Sequence, residues 1–112
     1  MEKDEEKPEK KLYYTIGEVA AMFQVNESLL RFWEKEFDIL APRKSDRGTR
    51  RYSREDIDNV SLIYFLVKEK KLTLAGARKQ LKDNKAGVKR THEVITRLQT
   101  LREELIAIRD EL

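Results

Sequence analysis

Between residues 16 and 82 apolar side chains fall in four short runs, each with the spacing of one helix face. Thr15-Ile16-Gly17-Glu18 has capping-box spacing, and Ile16, Val19, Ala20 and Phe23 follow it, which predicts a first helix over about residues 16–23. Asn26 is placed to cap a second helix with the stripe Leu29, Leu30, Trp33 and Phe37, so only a tight turn separates the two. Ser53-Arg54-Glu55-Asp56 opens a third helix, in which Ile57, Val60, Ile63, Tyr64 and Val67 carry helical spacing to about Lys70. Thr73 caps a fourth with Leu74, Ala77 and Leu81, expected to stop near Asn84 to Gly87.

The last run differs in kind. Val94, Leu98, Leu101, Leu105, Ile108 and Leu112 are spaced 4, 3, 4, 3, 4, a narrow heptad seam rather than the broad stripe of a globular helix. Burying such a seam requires a second helix, so a homodimer through this segment is expected; the alternative is a helix folded back on its own domain. Between the second and third helices the periodicity fails: after Ala41-Pro42 comes Arg43 to Tyr52, with turn residues Asp46 to Gly48 between two short arms, a predicted β-hairpin. The expected fold is therefore mainly α: a winged helix-turn-helix of four helices with a two-stranded β-hairpin wing, followed by a long C-terminal coiled-coil helix. The expected domains are a disordered tail at 1–11, the winged domain at 12–87 and the dimerisation helix at 88–112.

Charge gives this layout a partner. The net charge is only +3 over 112 residues, but Arg43 to Arg54 holds six basic residues (Arg43, Lys44, Arg47, Arg50, Arg51, Arg54) against Asp46 alone. A polyanion is the natural ligand, and double-stranded DNA suits the helix-turn-helix order. If the second helix turns Leu29, Leu30, Trp33 and Phe37 inward, Ser28, Arg31 and Lys35 lie on the opposite side, where their donors reach base edges and phosphates. The hairpin cations would lie along the backbone or in a minor groove, exchanging condensed counterions for guanidinium contacts. Tyr52 either donates to a phosphate or packs its ring beneath the hairpin.

Composition removes other classes. There is no cysteine and one histidine, His92, expected to be solvated or to serve packing, so no metal site and no cofactor are expected. No paired acid and base, nucleophile with histidine or phosphate-cradling glycine loop suggests an enzyme. No run approaches the roughly 20 apolar residues of a membrane span and the N-terminus has no apolar signal core, so a cytoplasmic protein is expected.

Thr15-Ile16-Gly17-Glu18-Val19-Ala20, Leu30-Arg31-Phe32-Trp33-Glu34, Pro42-Arg43 and Gly48-Thr49-Arg50-Arg51-Tyr52-Ser53, in that order with short gaps, resemble the MerR family of bacterial transcriptional regulators over about residues 13–82. The resemblance implies that Arg31 and Arg50 occupy DNA-contacting positions, that Trp33 replaces an aromatic of the recognition helix, and that Tyr52 takes a wing phosphate contact. The expected DNA-facing set is thus Thr15, Ser28, Arg31, Trp33, Lys35, Arg43, Lys44, Arg47, Arg50, Arg51 and Tyr52. It also implies an antiparallel dimer on a near-palindromic operator, distortion of an overlong promoter spacer, and RNA polymerase as a partner. The sequence departs from the family pattern at Gln24, where a glycine is usual in the turn, and at Thr49, where an aromatic is usual before the wing arginine. Nothing follows the seam, so signal sensing has no visible seat: an effector-less regulator, a fragment cut after the coiled coil, and a regulator set by abundance or a protein partner are the alternatives. An excisionase-like architectural protein is the alternative DNA reading, and an interaction module using the seam alone is a third.

Overall fold

The computed structural model describes residues 12–111; the tail predicted at 1–11 and the seam residue Leu112 lie outside them. The described residues form, in order, α1 (Ile16–Phe23), α2 (Glu27–Glu36), β1 (Arg43–Lys44), β2 (Arg50–Arg51), α3 (Arg54–Tyr64), a π-helical segment (Phe65–Glu69) and α4 (Leu74–Glu111). They divide between Ile63 and Tyr64 into two compact units, whereas the sequence suggests a boundary at residue 87.

In the first unit, α1 starts at the expected capping box: the Thr15 hydroxyl accepts from the Glu18 N–H at 3.1 Å and the Glu18 carboxylate accepts from the Thr15 N–H at 2.9 Å. The helix ends in a Schellman arrangement, with Val25 N donating to Ala20 O at 3.0 Å and Gln24 N to Ala21 O at 3.2 Å. That ending needs a left-handed residue, and Gln24 takes it at φ 56, ψ 45. A side chain in this region costs about 1 kcal/mol relative to glycine, which the turn geometry carries without being altered by it. Asn26 is the N-cap residue of α2, but its side chain makes no capping bond.

The centre of each apolar stripe is buried, Val19 and Ala20 of α1, Leu30, Trp33 and the following Phe37 of α2, and Val60 and Ile63 of α3 with Leu62 beside them, while Ile16, Phe23, Leu29, Ile57 and Tyr64 are half-buried. Among the described residues Asn59 is the one buried polar side chain, and its amide donates to Ile39 O at 3.0 Å, fixing the chain where it leaves α2. The hairpin pairs Arg43 with Arg51 and Lys44 with Arg50. Its turn closes through Gly48 N to Ser45 O at 2.9 Å, with Gly48 at φ 82, a conformation that favours glycine. Two backbone bonds of 2.8 Å between Tyr14 and Tyr52 form an isolated bridge that joins the hairpin's base to the segment before α1.

In the second unit, the π-helical segment replaces the last turns of the predicted third helix. Lys70 N donates to Phe65 O at 2.8 Å and Leu72 N to Leu66 O at 3.0 Å, with Lys71 left-handed at φ 60. Thr73 caps α4 by accepting from Gly76 N at 3.0 Å. The stop expected near Asn84 is a break inside one helical run: Asn84 leaves helical geometry at φ −154, ψ 56 and its side chain accepts from Gly87 N at 3.2 Å, capping the continuation. A Cβ at Gly87 would strike the Asn84 side-chain amide, so a larger residue there displaces the cap. His92 packs on Phe65 with ring centroids 4.9 Å apart. Beyond it the seam residues Val94, Leu98, Leu101, Leu105 and Ile108 stand 49 to 66% exposed.

Candidate nucleic-acid interface

α2 has two sides of opposite character because its apolar residues follow helical spacing and its polar ones fill the rest. Successive residues turn by about 100°, so Ser28, Arg31, Phe32 and Lys35 share one face, and all four are exposed. Arg31 is held by Glu27 one turn earlier at 3.3 Å, with both side chains nearly half exposed. A pair so open to water contributes little, and the guanidinium can leave it for a stronger anion at small cost.

The wing concentrates charge against its own stability. Both of its cross-strand pairs, Arg43 with Arg51 and Lys44 with Arg50, set cation directly opposite cation, an arrangement that destabilises a hairpin lacking a counter-anion. Among the described residues Arg43, Lys44, Arg47 and Arg51 make no ion pair, and all four are exposed.

Arg50 behaves differently. Its Nε donates to both oxygens of Glu34 at 2.9 and 2.8 Å, and the Tyr52 hydroxyl donates to Glu34 Oε2 at 2.6 Å. One carboxylate on α2 thereby collects two donors from the wing and locks hairpin and recognition helix into one body. Burial first, then the hydrogen bond and charge of Glu34, hold the Tyr52 phenol well above its ordinary range, so it stays protonated and keeps donating.

This geometry corrects part of the expected DNA-facing set. Trp33, 1% exposed, and Tyr52, fully buried, have no surface to offer a ligand; Trp33 falls on the core side of α2 and the Tyr52 hydroxyl is engaged by Glu34. Arg50 is turned toward the same carboxylate, so its first role is to join elements rather than to meet solvent anions. Thr15 is exposed, but its hydroxyl oxygen is occupied as the α1 cap. Ser28, Arg31, Lys35, Arg43, Lys44, Arg47 and Arg51 remain on the surface. Sequence reasoning missed Glu34 and Phe32. Glu34 is legible only with the hairpin folded back on α2, whereas Phe32 was available from helical phase, lying one turn after Ser28.

A short helix with a polar exposed face after a tight turn, braced to a cation-rich hairpin, defines a winged helix-turn-helix module of the DNA-binding class. Residues 14–84 match the MerR HTH family of regulatory proteins. The match spans more than half of the chain, which belongs to that family.

Among similar proteins are the HTH-type transcriptional regulators MlrA of Escherichia coli K12 and Salmonella typhimurium LT2. Each is 40% identical over 47 residues, covering 42% of this chain and 19% of the relative. The regulator protein TubY of Clostridium botulinum C phage is 28% identical over 96 residues, covering 86% of this chain and 40% of TubY. The chain thus spans well under half the length of these curated relatives. A MerR family transcriptional regulator from Bacillus thuringiensis has the same fold, with a TM-score of 0.53 at 19% identity over 89% of this chain and 96% of that one. Among the described residues no helix is long and apolar enough to cross a membrane.

Proposed function

We propose that the chain acts as a homodimer that binds a near-palindromic promoter site, setting one α2 in each half-site and one wing on the flanking backbone. The observation that carries this reading is the wing itself, whose paired strands oppose like charges with a single described carboxylate, Glu34, engaging one of them. A phosphate backbone supplies the missing anions, and the release of its counterions drives binding. The exposed seam of α4 supports pairing with a second copy, and a two-fold dimer requires a two-fold site. Membership of the MerR family supports the last step, in which the bound dimer bends and untwists the spacer so that the promoter elements align for RNA polymerase.

The test begins with a duplex selected from a random pool and titrated at several salt concentrations. Arg31→Ala is expected to weaken the selected site by about 1–3 kcal/mol and to relax sequence preference. Arg47→Ala with Arg51→Ala is expected to weaken selected and random duplex alike and to flatten the salt dependence by about one to two units. An unchanged slope moves the wing off the phosphates. For the distortion step, permanganate is expected to find newly reactive thymines at the centre of the occupied promoter, and an unaltered pattern at full occupancy rejects that step.

A further inference from the structure

We propose that Phe32 is a specificity-determining residue that reads the C5-methyl group of a thymine in the major groove. This rests on the DNA-binding reading above and adds to it the chemical feature recognised at one position of the half-site.

Phe32 is 42% exposed on a helix that buries Leu30 and Trp33 almost completely and Leu29 in part. Its place on the helix explains the difference. It follows Ser28 by four residues and precedes Lys35 by three, so it shares their exposed side of the helix, at the edge away from Arg31. The face that meets DNA thus presents an aromatic ring beside a hydroxyl and a cation, with the second cation on the opposite edge.

A phenylalanine there has one chemistry to contribute. It carries no hydroxyl to donate to a phosphate, and its ring cannot bond to base edges. What the major groove offers to an apolar surface is the thymine methyl, which distinguishes that base from every other. Arg31 and Lys35 supply the electrostatic attraction that seats the helix. The aromatic ring has few rotatable bonds to freeze, so ordering it against a methyl costs little entropy.

The experiment isolates the methyl. In the selected duplex each thymine of the half-site is replaced in turn by deoxyuridine, which keeps every hydrogen-bonding group and deletes only the methyl. Dissociation constants are then measured for the wild-type protein and for Phe32→Ala, whose fold is checked by its thermal unfolding. At one thymine per half-site the wild type is expected to lose about three- to fivefold in affinity, the size of one methyl removed from contact. Phe32→Ala should bind the thymine and deoxyuridine duplexes equally at that position. Equal losses in both proteins, or no thymine at which demethylation weakens the wild type, overturns the assignment while leaving DNA binding intact. Absence of saturable duplex binding by the wild type at low salt overturns the functional reading, and this inference with it.

Discussion

Replacing Glu34 with alanine is expected to destabilise the winged unit by about 2–3 kcal/mol, measured as a fall in the denaturant midpoint with the slope unchanged. The carboxylate is 13% exposed and its partner Arg50 22%, so the pair is sheltered enough to escape most solvent screening. Its removal strands two donors at once: the guanidinium loses both of its contacts, and the fully buried Tyr52 hydroxyl loses the acceptor 2.6 Å away. Glu34→Gln keeps an acceptor and removes the charge, and a smaller loss of about 1 kcal/mol is expected. Because one negative charge beside the wing is gone, this variant should at the same time bind random duplex more tightly than the wild type. Loss of stability together with gain of non-specific affinity is the signature of a brace sharing its charge with the binding surface. A midpoint indifferent to Glu34→Ala would sink the idea.

Alkali should test the same network from its other donor. The folded chain holds the Tyr52 phenol protonated far above the ordinary value of 10.0, chiefly through burial and then through Glu34, whereas the unfolded chain ionises it normally. Unfolding therefore releases a proton above pH 10. The stabilisation is complete below that pH and is lost as pH rises beyond it, by up to about 1.4 kcal/mol per pH unit. The difference in unfolding free energy between wild type and Tyr52→Phe should shrink accordingly across that range; a constant difference would remove Tyr52 from the titration.

The residues that made the fold legible in sequence carry local rules. Thr15 and Glu18 sit at capping distance whatever else the chain does, and the Leu30, Trp33, Phe37 stripe states which side of α2 is core. The hairpin was legible because Asp46 to Gly48 demands a turn and arginines crowd on both sides of it. Contacts made only after folding were not legible. Arg50 reads as one more wing cation until the hairpin closes and brings it to a carboxylate sixteen residues earlier, and Tyr52 reads equally as a phosphate contact or a packed ring until folding buries it and turns its hydroxyl to Glu34. The π-helical segment from Phe65 hides for another reason: Val67 and its neighbours satisfy ordinary helical spacing, and the wider turn is set by where Leu66 and Leu72 close the helix end. Family resemblance misassigned Trp33 on the same ground, since an aromatic position transfers by alignment while burial depends on the face it occupies here. Helical phase leaves Phe32, not Trp33, on the exposed side of α2.

The largest effect of all is expected at the seam of α4. Leu98→Glu with Leu105→Glu should convert a dimer into a monomer by sedimentation and lower affinity for the two-half-site duplex by about 10²–10³-fold, leaving affinity for an isolated half-site unchanged. Five described seam residues are about half exposed or more on a helical stretch from 85 to 111 that extends about 40 Å. Covering each one removes roughly 1 kcal/mol of apolar exposure, and a two-fold pairing counts every residue twice. Glutamate at two positions replaces that gain with carboxylates facing an apolar strip, which must stay hydrated and so keep the helices apart. The winged unit lies before Tyr64 in sequence, so its half-site contacts should survive; what disappears is the linkage that makes the second half-site an intramolecular partner of the first. Melting of the winged unit together with the loss of affinity would show that the seam serves the fold of a single chain, and a wild-type protein that sediments as a monomer at the concentrations where it saturates the duplex would remove the seam from DNA binding altogether.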